Sequence, residues 1–135
     1  MTQNSFVNLP VKDLDKSIAF FAGLGFKFNP QFTDKNATCM IVNDSSFVML
    51  LVEDFFKTFT SRQICDTAKN TEVLMGMSSE SRTAVDEMVA KAVAAGATTP
   101  NKPQDHGFMY GHGFHDLDGH QWEIFHMDMS AMPKP

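Results

Sequence analysis

The apolar pattern of this chain runs through one order of elements and then begins again, and that repetition limits the possible folds more than any single assignment does. Phe6-Val7-Asn8-Leu9-Pro10-Val11 reads as a short strand, with Pro10 confining that part of it to an edge or a strand end. Asp13 suits an N-cap, Leu14, Ile18 and Phe21 follow at helical spacing, and Gly25 takes the position just past the helix end. Residues 26–32 alternate, Phe26 and Phe28 against Lys27 and Asn29, until Pro30 interrupts them. Residues 37–42 and 47–52 read as two more strands, bounded by the polar turns at 34–36 and 43–46. The second of these is apolar on both faces and is expected to be covered on both.

The order then restarts. Residues 71–77 read as a strand, Ser81 caps a helix with Val85, Met88, Val89 and Ala92 on one face, and Gly96 ends it as Gly25 ended the first. A loop rich in Pro, Asn and Asp leads to a hairpin between Gly107 and Met127, and residues 130–135 form a tail with nothing to hold it. Strand, helix and three strands, twice over, predict an α+β chain of tandem βαβββ repeats. Neither half buries both faces of its sheet alone, and two such sheets side by side would form a curved mixed sheet around a cavity. The expected division is a single domain over residues 1–135, with repeat one at about 5–53, a linker at about 54–70 and repeat two at about 71–128. Within the linker, Phe55, Phe56 and Phe59 suit one or two helical turns; the segment is read as a connector pinned by its phenylalanines, the alternative being a lid over the cavity.

The last hairpin carries the most chemistry. Asp116-Leu117-Asp118-Gly119 is a turn signal: Asp can bond its own backbone two residues on, and Gly accepts a left-handed conformation. Counting outward pairs Asp116 with His120, His115 with Gln121, Gly113 with Glu123 and Gly111 with Phe125. Alternation places Phe108, Tyr110, His112, Phe114, Trp122, Ile124 and His126 on a core face. The other face carries Met109, Gly111, Gly113, His115, Gln121, Glu123 and Phe125. A mid-strand carboxylate opposite glycine suits the wall of a small-molecule cavity, whereas a plain solvent face is the alternative. His112 and His115 fall on opposite faces and cannot chelate together; His120 and His126 are expected to be structural imidazoles, and His106 to be exposed.

Composition narrows the function. A formal charge of −5 and the lack of any Lys/Arg cluster exclude a nucleic-acid surface. A hydrophobic content of 43% suits a globular core, and no apolar run reaches the length of a membrane span. The N-terminal Met1-Thr2-Gln3-Asn4-Ser5 lacks the regions of a signal peptide. Cys39 and Cys65 belong to no CxxC pair and read as buried small hydrophobes in a reduced, cytoplasmic protein.

On this tandem pattern, two motifs carry a resemblance. One is Leu9-Pro10-Val11-Lys12-Asp13-Leu14-Asp15-Lys16-Ser17-Ile18-Ala19-Phe20-Phe21 with Leu24-Gly25-Phe26. The other is Asp116-Leu117-Asp118-Gly119-His120-Gln121-Trp122-Glu123. From Phe6 to Met127 the chain resembles the vicinal oxygen chelate superfamily, which includes glyoxalases, extradiol dioxygenases, fosfomycin-modifying enzymes and bleomycin-binding resistance proteins. It is most similar to bacterial proteins described as lactoylglutathione-lyase-like. In the metal-dependent members four strands each offer one ligand to a divalent metal. Glu123 matches the last; Phe6, Leu50 and Leu74 match the other three, and none of these has a lone pair to give. A slip of two residues would bring Asn8, Glu72, His115 and Glu123 into an unusual oxygen-rich site.

The resemblance therefore implies a metal-free small-molecule-binding protein, with a cavity lined by Phe6, Asn8, Val48, Leu50, Leu74, Met109, Gln121, Glu123 and Phe125 and His115 near its rim. Glu123 would select cationic or hydrogen-bond-donating ligands. No cofactor is expected, a divalent metal being the lesser alternative. The alternative function is a glyoxalase-like lyase or a dioxygenase-type enzyme using Glu123 with a non-standard metal site. A homodimer is expected, with no nucleic-acid or membrane partner; the ligand is not legible.

Overall fold

A computed structural model describes residues 3–131. Met1, Thr2 and the end of the expected tail, residues 132–135, lie outside the described residues. The chain divides into two compact units, one ending at Cys65 and the other beginning at Asp66.

In the first unit, β1 (Ser5–Val11) leads into α1 (Leu14–Gly23), followed by β2 (Lys27–Asn29), β3 (Ala37–Ile41), β4 (Ser46–Val52) and the short α2 (Glu53–Phe56). The strands order as β1-β4-β3-β2, with β1 parallel to β4 and the other pairs antiparallel. β1 is an edge of this sheet, where Pro10 costs no ladder hydrogen bond. One sheet face is sealed: Leu9, Val11, Val48, Leu50, Met40 and Thr38 are all buried. Helix α1 packs on β3 and β4 and buries Leu14, Phe20 and Phe21.

The second unit repeats this plan. It contains β5 (Leu74–Ser78), α3 (Arg82–Ala94), β6 (Gln104–Asp105), β7 (Met109–His115) and β8 (Gln121–Met127). The order is β5-β8-β7-β6, with β5 parallel to β8. Trp122, Ile124 and Phe114 are buried on the face that α3 covers with Val85, Val89 and Ala92.

The two long helices begin and end alike. Asp13 accepts from the Lys16 amide at 3.1 Å and Ser81 from the Ala84 amide at 3.0 Å. Gly25 (φ 104°) and Gly96 (φ 114°) then turn the chain in a left-handed conformation open to glycine at little cost. Gly25 N–H donates to Ala22 and Phe26 N–H to Phe21; Gly96 N–H donates to Val93 and Ala97 N–H to Ala92. Each is a Schellman motif, and the Phe21 and Phe26 rings meet edge to face at 6.1 Å across the first.

The strand begun by the alternation at Phe26 ends at Asn29, as the interruption at Pro30 predicts: Asn29 accepts from the Gln31 amide and Pro30 opens a 3-10 turn. Three expectations need correction. The strand expected from Thr71 begins at Leu74, because its partner there, Gln121, is the first residue of β8. Within the loop expected before the hairpin, Gln104 and Asp105 pair with Gly111 and Tyr110 as β6. Arg82 fastens this polar pair from α3 through Asp105 at 2.7 and 3.0 Å and the Gly107 carbonyl at 3.0 Å. The Arg82 guanidinium and the Gly107 amide hold the Asp105 carboxyl down at about 2. The tail expected from Ser130 is held at its start, where Asp128 accepts from the Ser130 amide and hydroxyl and residues 129–131 form a 3-10 turn.

The expected connector is divided. Helix α2 packs on β1 and β4, with the Phe55 and Phe59 rings edge to face at 5.2 Å, whereas Thr67 donates to the Asp118 carbonyl in the second unit. Among the described residues no helix is long and apolar enough to cross a membrane.

Candidate functional site

Register determines everything on the open face of the second sheet, and the turn at Asp116 sets the register. Asp116 Oδ1 accepts from the amides of Asp118 at 2.9 Å and His120 at 3.0 Å, and Oδ2 accepts from the Trp122 indole N–H at 2.9 Å. Gly119 sits at φ 80°. Burial pushes the Asp116 carboxyl above its ordinary range, opposed by the neighbouring His120 and by those N–H donors. The pairs that result are those expected: His115 with Gln121, Gly113 with Glu123 and Gly111 with Phe125.

Adding β5 completes three rows across the sheet. Leu74, Gln121 and His115 form the first; Gly76, Glu123 and Gly113 the second; Ser78, Phe125 and Gly111 the third. Met109 lies further along the same face of β7. Glu123, half-buried, thus has a glycine on each flank. The flanks differ. A Cβ at Gly113 would lie 2.5 Å from Glu123 Oε2 and 2.9 Å from the Trp122 carbonyl, whereas one at Gly76 would meet only the Phe125 ring, at 3.7 Å. The carboxylate lies over Gly113 and leaves the Gly76 side open.

A polar string fixes the carboxylate further. Gln121 Nε2 donates to Glu123 Oε1 at 2.7 Å, and Gln121 Oε1 lies 3.3 Å from His115 Nε2. A carboxylate only accepts, so the amide nitrogen faces Glu123 and the amide oxygen faces His115, which must then carry a proton on Nε2. The string runs His115 to Gln121 to Glu123, each step a donor to an acceptor.

In the first unit Phe6 and Asn8 lie on the open sheet face, Phe6 stacked on Phe47 with ring centres 5.0 Å apart. Leu50 and Val48 do not join them. Both are buried on the opposite, helix-covered face, Leu50 paired with Leu9, and the β4 residues beside Phe6 and Asn8 are Phe47 and Met49. An all-apolar strand has no alternation to reveal its inward side, and a shift of one residue exchanges the faces. Glu72, invoked by the slipped alignment, is exposed and precedes β5.

The donor set does not fit a divalent metal held as the family resemblance implies. Phe6 and Leu74 have no lone pair, Leu50 faces the core, and Gly76, beside Glu123, has no side chain. Among the described residues no group of three or more His, Cys, Asp and Glu side chains is placed to hold an ion. Two of the other histidines meet backbone carbonyls: His126 Nδ1 lies 3.0 Å from that of Ser79 and His112 Nε2 3.1 Å from that of Asn101. Cys39 is buried, which pushes its thiol up. Gly76 escaped the sequence reading, although a glycine inside the apolar run 73–77 was its available signal.

Residues 4–43 match the family model described as bleomycin resistance protein-like N-terminal. A hypothetical protein of S. aureus is 34% identical, covers 93% of this chain and 94% of its own, and superposes with a TM-score of 0.76. A glyoxalase/bleomycin resistance protein/dioxygenase family enzyme from Burkholderia phytofirmans is 19% identical, covering 93% of this chain and 99% of its own, with a TM-score of 0.77. The fosfomycin resistance protein FosX from Listeria monocytogenes is 20% identical, covering 100% and 96%, with a TM-score of 0.68. No curated protein matches the sequence.

Proposed function

The chain belongs to the vicinal oxygen chelate superfamily, and from that premise we propose that it binds a small molecule at Glu123 without a metal. The observation that carries this reading is the middle row of the second sheet. A carboxylate held by Gln121 stands between two glycines, with space beside it and no second metal donor in its row. Leu74, Met109, His115 and Gln121 share its face and supply the apolar walls and polar groups of an ordinary ligand site. Glu123 selects ligands that are cationic or donate hydrogen bonds.

A glyoxalase-like lyase or dioxygenase-type enzyme is the second reading. Glu123 is a suitable base, but polarising a substrate carbonyl takes a Lewis acid, and this donor set is a poor holder for one. A thermal-shift screen of small amines, acids and neutral aromatics, run with chelator and again with divalent ions, separates the two. Hits retained under chelator are expected; hits that need the metal favour the enzyme.

A homodimer belongs to the same proposal. Phe6 and Leu74, on the edge strands β1 and β5, are 53% and 58% exposed, and apolar edge strands invite partners. Mass measurement at micromolar concentration should give twice the chain mass of 15.1 kDa, and monomer alone would refute it. Cys39 and Cys65 carry thiols rather than a disulfide, which suits a reduced, cytoplasmic setting.

A further inference from the structure

We propose that Gly76 is the specificity-determining residue of this site. The open place above it is a subsite for the ammonium end of an aromatic or branched apolar amine. The inference rests on Glu123 being the ligand-binding carboxylate, and it adds where the ligand lies and what class it belongs to.

Three observations converge. First, the two glycines beside Glu123 are not equivalent. At Gly113 the space is already filled by the carboxylate, and a Cβ there would also strike the Trp122 carbonyl at 2.9 Å. At Gly76 a Cβ meets only the Phe125 ring, at ordinary contact distance, and the residue is exposed. Glycine weakens a strand interior, and among the described residues no contact or left-handed backbone at Gly76 requires it, so its use there is to keep the place empty. Second, that place has two apolar neighbours beside the polar Ser78. The Phe125 ring borders it in the next row and Leu74, 58% exposed, precedes it on the same face of β5. Third, the charge has no cation beside it on the sheet. β5, β7 and β8 contain no lysine or arginine, and the Glu123 carboxylate receives from the neutral Gln121 amide. A protonated amine above Gly76 would supply the missing charge-assisted hydrogen bond, and its apolar part would lie against Phe125 and Leu74.

The test uses the full chain, with benzylammonium as probe and benzyl alcohol as its neutral counterpart, both followed by NMR titration. Benzylammonium should bind saturably and shift the amide signals of Gly76, Glu123 and Phe125, with benzyl alcohol much weaker. Gly76→Ala and Gly76→Val should leave the melting temperature unchanged or raised, since a Cβ fits. They should weaken benzylammonium in order of size, by about tenfold or more for valine. Binding abolished by Glu123→Gln but untouched by either Gly76 variant would overturn the Gly76 subsite and leave the Glu123 reading standing. Binding untouched by Glu123→Gln would overturn both. No saturable binding of benzylammonium, or equal binding of benzyl alcohol, would overturn the assignment of an amine.

Discussion

Trp122→Ala is expected to cost about 3–5 kcal/mol of folding stability, the largest loss available from a single side chain here. Trp122 is fully buried, its ring stacks near Phe114 with centres 6.4 Å apart, and its indole N–H donates to Asp116 Oδ2 at 2.9 Å. Alanine leaves a cavity under α3 and removes a donor from a buried carboxylate. That carboxylate also orders the turn, so the loss should spread to the register of β7 and β8. Trp122→Phe separates the two effects, since most of the bulk stays while the Asp116 bond is lost, at a cost of about 1–3 kcal/mol. Urea unfolding with unchanged slope measures both. A Trp122→Ala cost below that of Trp122→Phe would contradict this account of the core.

Glu123→Gln should do the reverse, leaving stability within about 0.5 kcal/mol of the parent while weakening binding. The substituted amide oxygen can still accept from Gln121, which now reaches Glu123 Oε1 at 2.7 Å, and the space over Gly113 holds an amide as well as a carboxylate. What disappears is the charge. A charge-assisted hydrogen bond contributes about 1.5–3 kcal/mol, so affinity for a cationic ligand should fall on the order of 10- to 100-fold. Calorimetric titration beside thermal melts checks both halves. Unfolding of the variant would mean that Glu123 is a structural partner and that the site lies elsewhere.

The features that were legible in the sequence are those whose chemistry is local. Gly25 and Gly96 announce helix ends because the left-handed turn after a helix favours glycine strongly. The hairpin was legible down to its register because Asp116 and Gly119 determine the loop and strict alternation follows. β4 was not, because Phe47 to Val52 is apolar throughout and only the pairing with Leu9 shows that Leu50 turns inward. β6 was hidden because its two residues are polar and Arg82, 23 positions before Asp105, holds them. At the site, the face bearing Glu123, Gln121 and His115 could be read by counting. The direction of the bonds linking them could not, nor could Gly76, since pairing it with Glu123 requires the start of β5.

The central claim is that Glu123 works as a bare carboxylate rather than as a metal ligand. Elemental analysis of protein purified without chelator, followed by addition of manganese, nickel, zinc and iron(II) under thermal melting, tests it most directly. Metal is expected far below one equivalent per chain, with melting temperatures that do not rise with any of the four ions. The Phe6, Leu74 and Gly76 positions lack donors, and one carboxylate cannot compensate for them. One equivalent of a single divalent metal per chain, lost on Glu123→Gln, would contradict it and make the protein a metalloenzyme candidate.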